Sequence, residues 1–170
     1  EKFVEGDLCE LVRLPVPLIV SVMADSAEQF SVLVEAVAAV DGVAGIELNV
    51  SCPNVHSGLI VGEQPAETES LMQVLRPLTD LPLIVKLTPN VAGPEAVARA
   101  AESGGADAVS LINTVKSAAI DPDHIRPWLG AGGGGLSGPA IRPIALAQVR
   151  AVSAAVEIPV VGMGGISDGE

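Results

Sequence analysis

The stretch Gly45-Ile46-Glu47-Leu48-Asn49-Val50-Ser51-Cys52-Pro53-Asn54 starts as an apolar strand and finishes on an amide, a hydroxyl, a thiol and a second amide. A buried strand gains nothing from closing on such groups, whereas a site built at its end needs them. Four further apolar runs, residues 18–23, 83–87, 106–112 and 158–163, join residues 45–50 as candidate strands. Each is rich in Val, Ile or Leu without polar alternation, the pattern predicted for parallel strands covered on both faces.

Helical segments fall between these runs. Asp25-Ser26-Ala27-Glu28 predicts a cap for a helix reaching about Val40, with Gly42 after it. Residues 65–76 place Glu67 and Glu69 near the positive end of a second helix. Residues 94–103 open on Pro94 and stop before Gly104-Gly105. A last helix runs from Ile141 or Pro143 to Ala155, with Ile144, Leu146, Val149 and Val152 at near-helical spacing.

Strand-then-helix repetition is the pattern of an α/β fold with a parallel sheet, either open and doubly wound or closed as a barrel. The strand ends favour the barrel. Asn49/Cys52, Lys86/Thr88, Asn113/Thr114 and Gly164/Gly165 follow successive strands, and only in a (β/α)8 barrel do all C-terminal strand ends converge. The predicted fold is a partial TIM (β/α)8 barrel holding about five of the eight strands. Residues 1–170 form the central part of a single domain, its N- and C-terminal strands lying outside this sequence. The absence of an initial Met, and a capping-box pattern at Ser167-Asp168-Gly169-Glu170 with no helix after it, suggest a piece of a larger domain.

Composition narrows the function classes. Hydrophobic residues make up 49% and aromatics 2%, so the core is aliphatic. A formal charge of −12 repels a phosphate backbone and argues against nucleic acid. No apolar run reaches the roughly 18 residues of a membrane span, and no basic leader precedes a cleavage site, so a cytoplasmic protein is expected. Two cysteines, Cys9 and Cys52, are too few for a disulfide framework, and no CxxC or HxxxH spacing suggests a metal.

Several residues invite a functional reading beside a plainer one. Gly162-Met163-Gly164-Gly165-Ile166-Ser167 closes a strand and opens a helix; it is either a phosphate-binding turn or simply a tight connection. Lys86 sits in the otherwise apolar run Leu83-Ile84-Val85-Lys86-Leu87-Thr88. It must face an anion or snorkel to solvent. Asn49, Asn54 and Asn113 stand at or just beyond strand ends, where amides can serve a pyrimidine or flavin edge or satisfy local backbone. Cys52 is a candidate general base, since a thiol ordinarily titrates near pH 8.5, or else a small buried hydrophobe. Cys9 lacks a polar constellation and is read as packing. His56 lies beside the key motif, and His124 is read as an ordinary loop residue. The long connection 114–142, with its run of four glycines at 132–135, is either a functional loop or a small hairpin.

Taken together, residues 47–55, Val85-Lys86-Leu87-Thr88-Pro89-Asn90-Val91, Ile112-Asn113-Thr114, Gly134-Gly135-Leu136-Ser137-Gly138-Pro139-Ala140-Ile141 and residues 162–165 resemble the dihydroorotate dehydrogenases in order and spacing. The resemblance covers essentially the whole chain and is closest to class 1B, the NAD-linked catalytic subunit. It implies an FMN-containing (β/α)8 barrel that oxidises dihydroorotate to orotate in de novo pyrimidine biosynthesis. On the matching positions, Cys52 would take the C5 proton while hydride leaves C6 for FMN. Asn49, Asn54, Asn113 and Thr114 would contact substrate, and Asn49 the flavin as well. Lys86 would face the flavin, Ile112 and Gly138 would line it, and Gly164 and Gly165 would bind its phosphate. Residues 55–64 would form a lid.

The cysteine distinguishes this chain from the membrane-associated class 2 enzymes, which use serine. The implied assembly is a homodimer joined by an electron-transfer subunit, carrying FAD and a [2Fe-2S] cluster, in a heterotetramer that passes electrons to NAD. Where relatives often have Asn, this chain has Ser21. The first strands, with a lysine and an Asn-rich loop, and the last strand, with a further phosphate contact, would lie outside these residues, so the fragment alone would be inactive. Two other readings are a related FMN barrel acting on another dihydropyrimidine and a non-catalytic phosphate- or nucleotide-binding barrel.

Overall fold

In the computed structural model, residues 2–51 and 61–169 are described. Two short helices, α1 (Lys2–Glu5) and α2 (Asp7–Leu11), lead into β1 (Leu18–Met23), α3 (Ala27–Ala38) and β2 (Val43–Asn49). The alternation continues through α4 (Pro65–Leu75), β3 (Leu83–Lys86), α5 (Pro94–Ser103) and β4 (Ala108–Leu111). Four short strands follow, β5 (Val115–Ser117), β6 (Ile120–Asp121), β7 (Arg126–Pro127) and β8 (Gly134–Leu136), before α6 (Arg142–Ser153) and β9 (Val160–Gly162).

The main sheet has the order β1-β2-β3-β4-β9, and every pairing in it is parallel. Each strand is added on the same side as the one before. A doubly wound sheet would reverse direction at a switch point; this one does not, and its winding is that of a (β/α)8 barrel taken over five strands.

Local signals explain the helices. The Ser26 hydroxyl accepts from the Gln29 backbone N–H at 3.3 Å, capping α3, and Gly42, at φ +97°, turns the chain towards β2. Proline occupies the first turn of both α4 and α5. Arg76 ties the entry of β3 together: its guanidinium donates to the Asp107 carboxylate and to the carbonyls of Thr79 and Leu81. Asp107 in turn accepts from the Leu83 N–H at 2.8 Å.

The two faces of the sheet differ, which corrects the expectation of strands covered equally on both sides. Val20, Val22, Ile46, Leu48, Leu83, Val85, Val109 and Leu111 point at the helices and are buried. The alternate set faces inward and includes Ser21, Glu47, Asn49, Lys86 and Ser110, as the period of two requires. Among the described residues β1 pairs only with β2, and its inner-face Ile19 and Met23 are 52% and 56% exposed. The strands alternate after all, between an apolar helix-facing side and a polar barrel interior.

The 114–142 connection forms two antiparallel pairs. β5 with β8 folds the glycine-rich stretch back over the strand ends, and β6 with β7 forms a small hairpin beyond it. In that hairpin the His124 ring lies 2.8 Å from the Asp121 carboxylate. The histidine contact, with Arg126 adding to it, holds the Asp121 carboxyl below its ordinary 3.8. Because the folded-state value is depressed, this stabilisation is present above pH 3.8 and is lost as pH falls through the lower folded value. Trp128 is the chain's one tryptophan, and its backbone N–H donates to the Ala119 carbonyl at 2.8 Å beside the hairpin. Tryptophan fluorescence is therefore expected to shift on acidification below that range, and Asp121→Asn to remove the transition.

Candidate active site

Parallel strands bring side chains 26 to 64 residues apart to one end of the sheet. The register sets Ser21 opposite Glu47, Asn49 opposite Lys86, and Lys86 opposite Ser110. Two polar layers result.

The deeper layer centres on Glu47. Its Oε1 accepts from the Ser21 hydroxyl at 2.8 Å and from Lys86 Nζ at 3.4 Å, while Oε2 accepts from the Ser110 hydroxyl at 2.7 Å. The Lys86 and Glu47 side chains are only 23% and 13% exposed. The anion that the sequence required for Lys86 is supplied from within the barrel.

The upper layer is an amide cluster. Asn113 Nδ2 donates to Asn49 Oδ1 at 3.0 Å and to the Ser51 hydroxyl at 2.9 Å. Asn113 Oδ1 accepts from the Thr114 N–H at 2.8 Å. Asn49 Oδ1 also accepts from the Ser51 N–H at 3.3 Å, so the strand end curls onto its own side chain. Beside it, Asn90 acts as a brace. Its Nδ2 donates to Thr88 Oγ1 at 3.0 Å and to the Thr114 carbonyl at 3.2 Å, and its Oδ1 accepts from the Lys116 N–H at 2.8 Å. These bonds fix the start of β5 against the end of β3.

Over these groups lies a cleft of about 730 Å³, lined by Ser51, Thr88, Asn90, Asn113, Thr114, Lys116 and the glycine-rich stretch before β8. Its volume suits a small organic ligand. A second hollow of about 530 Å³, beside Asp121, Arg126 and Trp128, contains none of the strand-end groups. Gly135 forms part of the cleft wall because nothing larger fits: a Cβ there would fall 2.2 Å from Thr114 Oγ1 and 2.5 Å from its Cβ. Gly135→Ala is thus expected to push Thr114 off its bonds, at a cost of about 1–3 kcal/mol of overpacking. Denaturant midpoints would read that loss, and raised KM its effect on the cleft.

At the end of β9, Gly164 and Gly165 have φ of +112° and +76°. A Cβ on Gly164 would lie 3.2 Å from Ile112 Cγ1, and one on Gly165 would lie 2.8 Å from the Arg142 backbone nitrogen. This turn is pressed between the end of β4 and the start of α6. Ile112 itself is buried, and Gly138, at φ +84°, opens the 3-10 turn Pro139–Ile141 that leads into α6.

The structure therefore brings Asn49, Lys86, Ile112, Asn113 and Thr114 together on the neighbouring ends of β2, β3 and β4, with Gly164 and Gly165 at the end of β9 next to them. Gly138 stands at the mouth of α6. Cys52, Asn54, His56 and most of the expected lid lie outside the described residues. The lid's described end, the 3-10 turn Val61–Glu63, is anchored by the Gly62 N–H on the Val50 carbonyl at 2.9 Å and by the buried Thr68 hydroxyl on the Val61 carbonyl at 2.9 Å. Cys9 donates to the Val4 carbonyl at 3.2 Å, away from the site. Sequence reasoning passed over Glu47, Ser110, Asn90 and Ser51. The alternation Glu47, Asn49, Ser51 was a usable signal, since it puts three polar groups on one face of a strand. Among the described residues no cluster of His, Cys, Asp and Glu could hold a metal, and no helix is long and apolar enough to cross a membrane.

Fold and site together define a barrel protein that gathers its ligand-binding groups at the C-terminal strand ends. The chain belongs to the dihydroorotate dehydrogenase family, which it matches over residues 4–170. It is 46% identical over 167 residues to the catalytic subunit of dihydroorotate dehydrogenase B (NAD(+)) from Desulforudis audaxviator, covering 98% of this chain and 54% of that protein. Against the subunit of the same name from Geobacter sulfurreducens it is 44% identical over 170 residues, covering 99% and 56%. A Solibacter usitatus protein described as "Putative dihydroorotate dehydrogenase A (fumarate)" is 46% identical over 169 residues, covering 99% and 56%. The chain thus spans about half the length of the curated relatives it matches.

Proposed function

We propose that this chain carries the central strands of an FMN-dependent enzyme that oxidises dihydroorotate to orotate in cytoplasmic pyrimidine biosynthesis. The observation that carries the proposal is the Asn49–Ser51–Asn113 amide cluster standing directly above the Lys86–Glu47 pair. Amides that offer both donors and acceptors suit a cyclic imide, and a cation beneath them suits a ring system that gains negative charge.

The residues also fit FMN. The donor set fits an isoalloxazine edge, and the Gly164–Gly165 turn, at φ +112° and +76°, offers successive backbone amides of the kind that receive a phosphate. Lys86, Asn49, Ile112, Gly138, Gly164 and Gly165 would hold the cofactor. When bound, FMN supplies an acceptor for the hydride that leaves C6 of dihydroorotate. The chain's own part is to orient and to deprotonate. Asn49, Asn54, Asn113 and Thr114 fix the ring, and Cys52 removes the C5 proton as the C5–C6 double bond forms.

The names of most relatives above, with NAD(+) and a catalytic subunit in them, support NAD as final acceptor and a further subunit; the family resemblance adds that this subunit would carry FAD and a [2Fe-2S] cluster in a heterotetramer built on a homodimer. A substrate panel tests the reading: dihydroorotate should be oxidised far faster than dihydrouracil or dihydrothymine. A preference for either of the latter would favour a different dihydropyrimidine enzyme.

A further inference from the structure

We infer that Glu47 is a positioning residue, a fixed counter-charge that sets how much of the Lys86 positive charge reaches the ligand at the strand ends. The inference rests on the flavin reading above and adds a residue that reading does not use.

The geometry is specific. Glu47 lies one inward position below Asn49 on β2, and Asn49 is the register partner of Lys86. Lys86 Nζ meets Glu47 Oε1 at 3.4 Å across the inner face of the sheet. Among the described residues Glu47 is the only acceptor within reach of Lys86 Nζ. Glu47 itself cannot swing away. Hydroxyls from both sides hold it: Ser21 on β1, which bonds the oxygen shared with Lys86, and Ser110 on β4, which bonds the other. Ser110 is 1% exposed and inward-facing, so its hydroxyl is committed to this contact. A ligand that gains negative charge near Lys86 must compete with a carboxylate that three donors keep in place.

The consequence is electrostatic and has a sign. Two charges a few ångströms apart in a partly desolvated site interact strongly, so neutralising Glu47 leaves Lys86 freer to stabilise a reduced, more negative flavin. In the FMN-loaded holoenzyme, Glu47→Gln should raise the two-electron midpoint potential by the equivalent of about tenfold, near 30 mV. It should change kcat while leaving KM for dihydroorotate within about twofold, because Glu47 does not touch substrate. Lys86→Met should lower the potential, and Glu47→Gln added to Lys86→Met should shift it no further. Ser21→Ala removes a donor from the shared oxygen and should lower the potential by about threefold, near 14 mV. Ser21→Ala deletes one hydroxyl and no charge, so this variant keeps the proposal testable if Glu47→Gln does not fold.

A purely structural Glu47 would lower melting temperature and FMN content without moving the potential. A wild-type-like potential in FMN-loaded Glu47→Gln, or a shift that persists undiminished in the Lys86→Met background, overturns the inference. So does an unchanged potential in Ser21→Ala where that variant has to decide. These results leave the flavin reading intact if wild-type protein is yellow and oxidises dihydroorotate. A wild-type protein without flavin overturns both.

Discussion

Replacing Cys52 with alanine is expected to lower kcat for dihydroorotate oxidation by roughly 10²–10⁴-fold, the usual contribution of a positioned general base, with FMN content unchanged. The expectation follows from the position of Cys52 directly after Ser51, whose hydroxyl is bound by the Asn113 amide at 2.9 Å. The residue before the thiol is therefore anchored to the Asn49–Asn113 cluster. Under the proposed role, removing the thiol would delete the proton acceptor. Single-turnover flavin reduction under anaerobic conditions measures the step directly. Reduction at the wild-type rate would take Cys52 out of the mechanism.

The second large effect is expected at Asn113. Its side chain makes three hydrogen bonds, to Asn49 Oδ1, to Ser51 Oγ and from the Thr114 N–H. At about 1 kcal/mol net for each bond, Asn113→Ala should cost about 3 kcal/mol of organisation at the site. If that loss falls on the transition state, kcat/KM drops by about 10²-fold. Both kcat and KM should change, since the amide would contact substrate and also hold Asn49 and Ser51 in place. Retained kcat/KM would reduce Asn113 to a local backbone partner.

Much of this site is legible in the residues alone, and the exceptions have physical reasons. Leu18–Met23 and Pro94–Ser103 form the elements that sequence predicts over the same residues. Their ends are marked by strong local signals, a β-branched run in one case and a leading proline with trailing glycines in the other. The predicted strand over 106–112 is shorter, at Ala108–Leu111, because the Ala106 N–H turns back to the Ala101 carbonyl and belongs to the exit from α5. α1 and α2 carry too few residues for a periodic pattern, β5, β6 and β7 are only two or three residues long, and β8 is built on glycine-rich sequence.

The role of Glu47 was hidden for another reason. Its partners Ser21, Lys86 and Ser110 are 26, 39 and 63 residues away, and only strand register brings them together. Lys86 announced itself as a charge needing a partner. The identity of that partner depended on tertiary structure. Ser51 is similar: alternation with Glu47 and Asn49 marks its face, but its partner Asn113 is 62 residues away, and the bond it accepts ties β2 to the end of β4.

The account stands or falls on whether a flavin in this protein takes electrons from dihydroorotate. Purified full-length protein, with the outer strands present, should be yellow, and dihydroorotate added without oxygen should bleach its visible flavin absorbance, with orotate formed in stoichiometric amount. Absence of flavin, or flavin that stays oxidised in the presence of dihydroorotate, would contradict it.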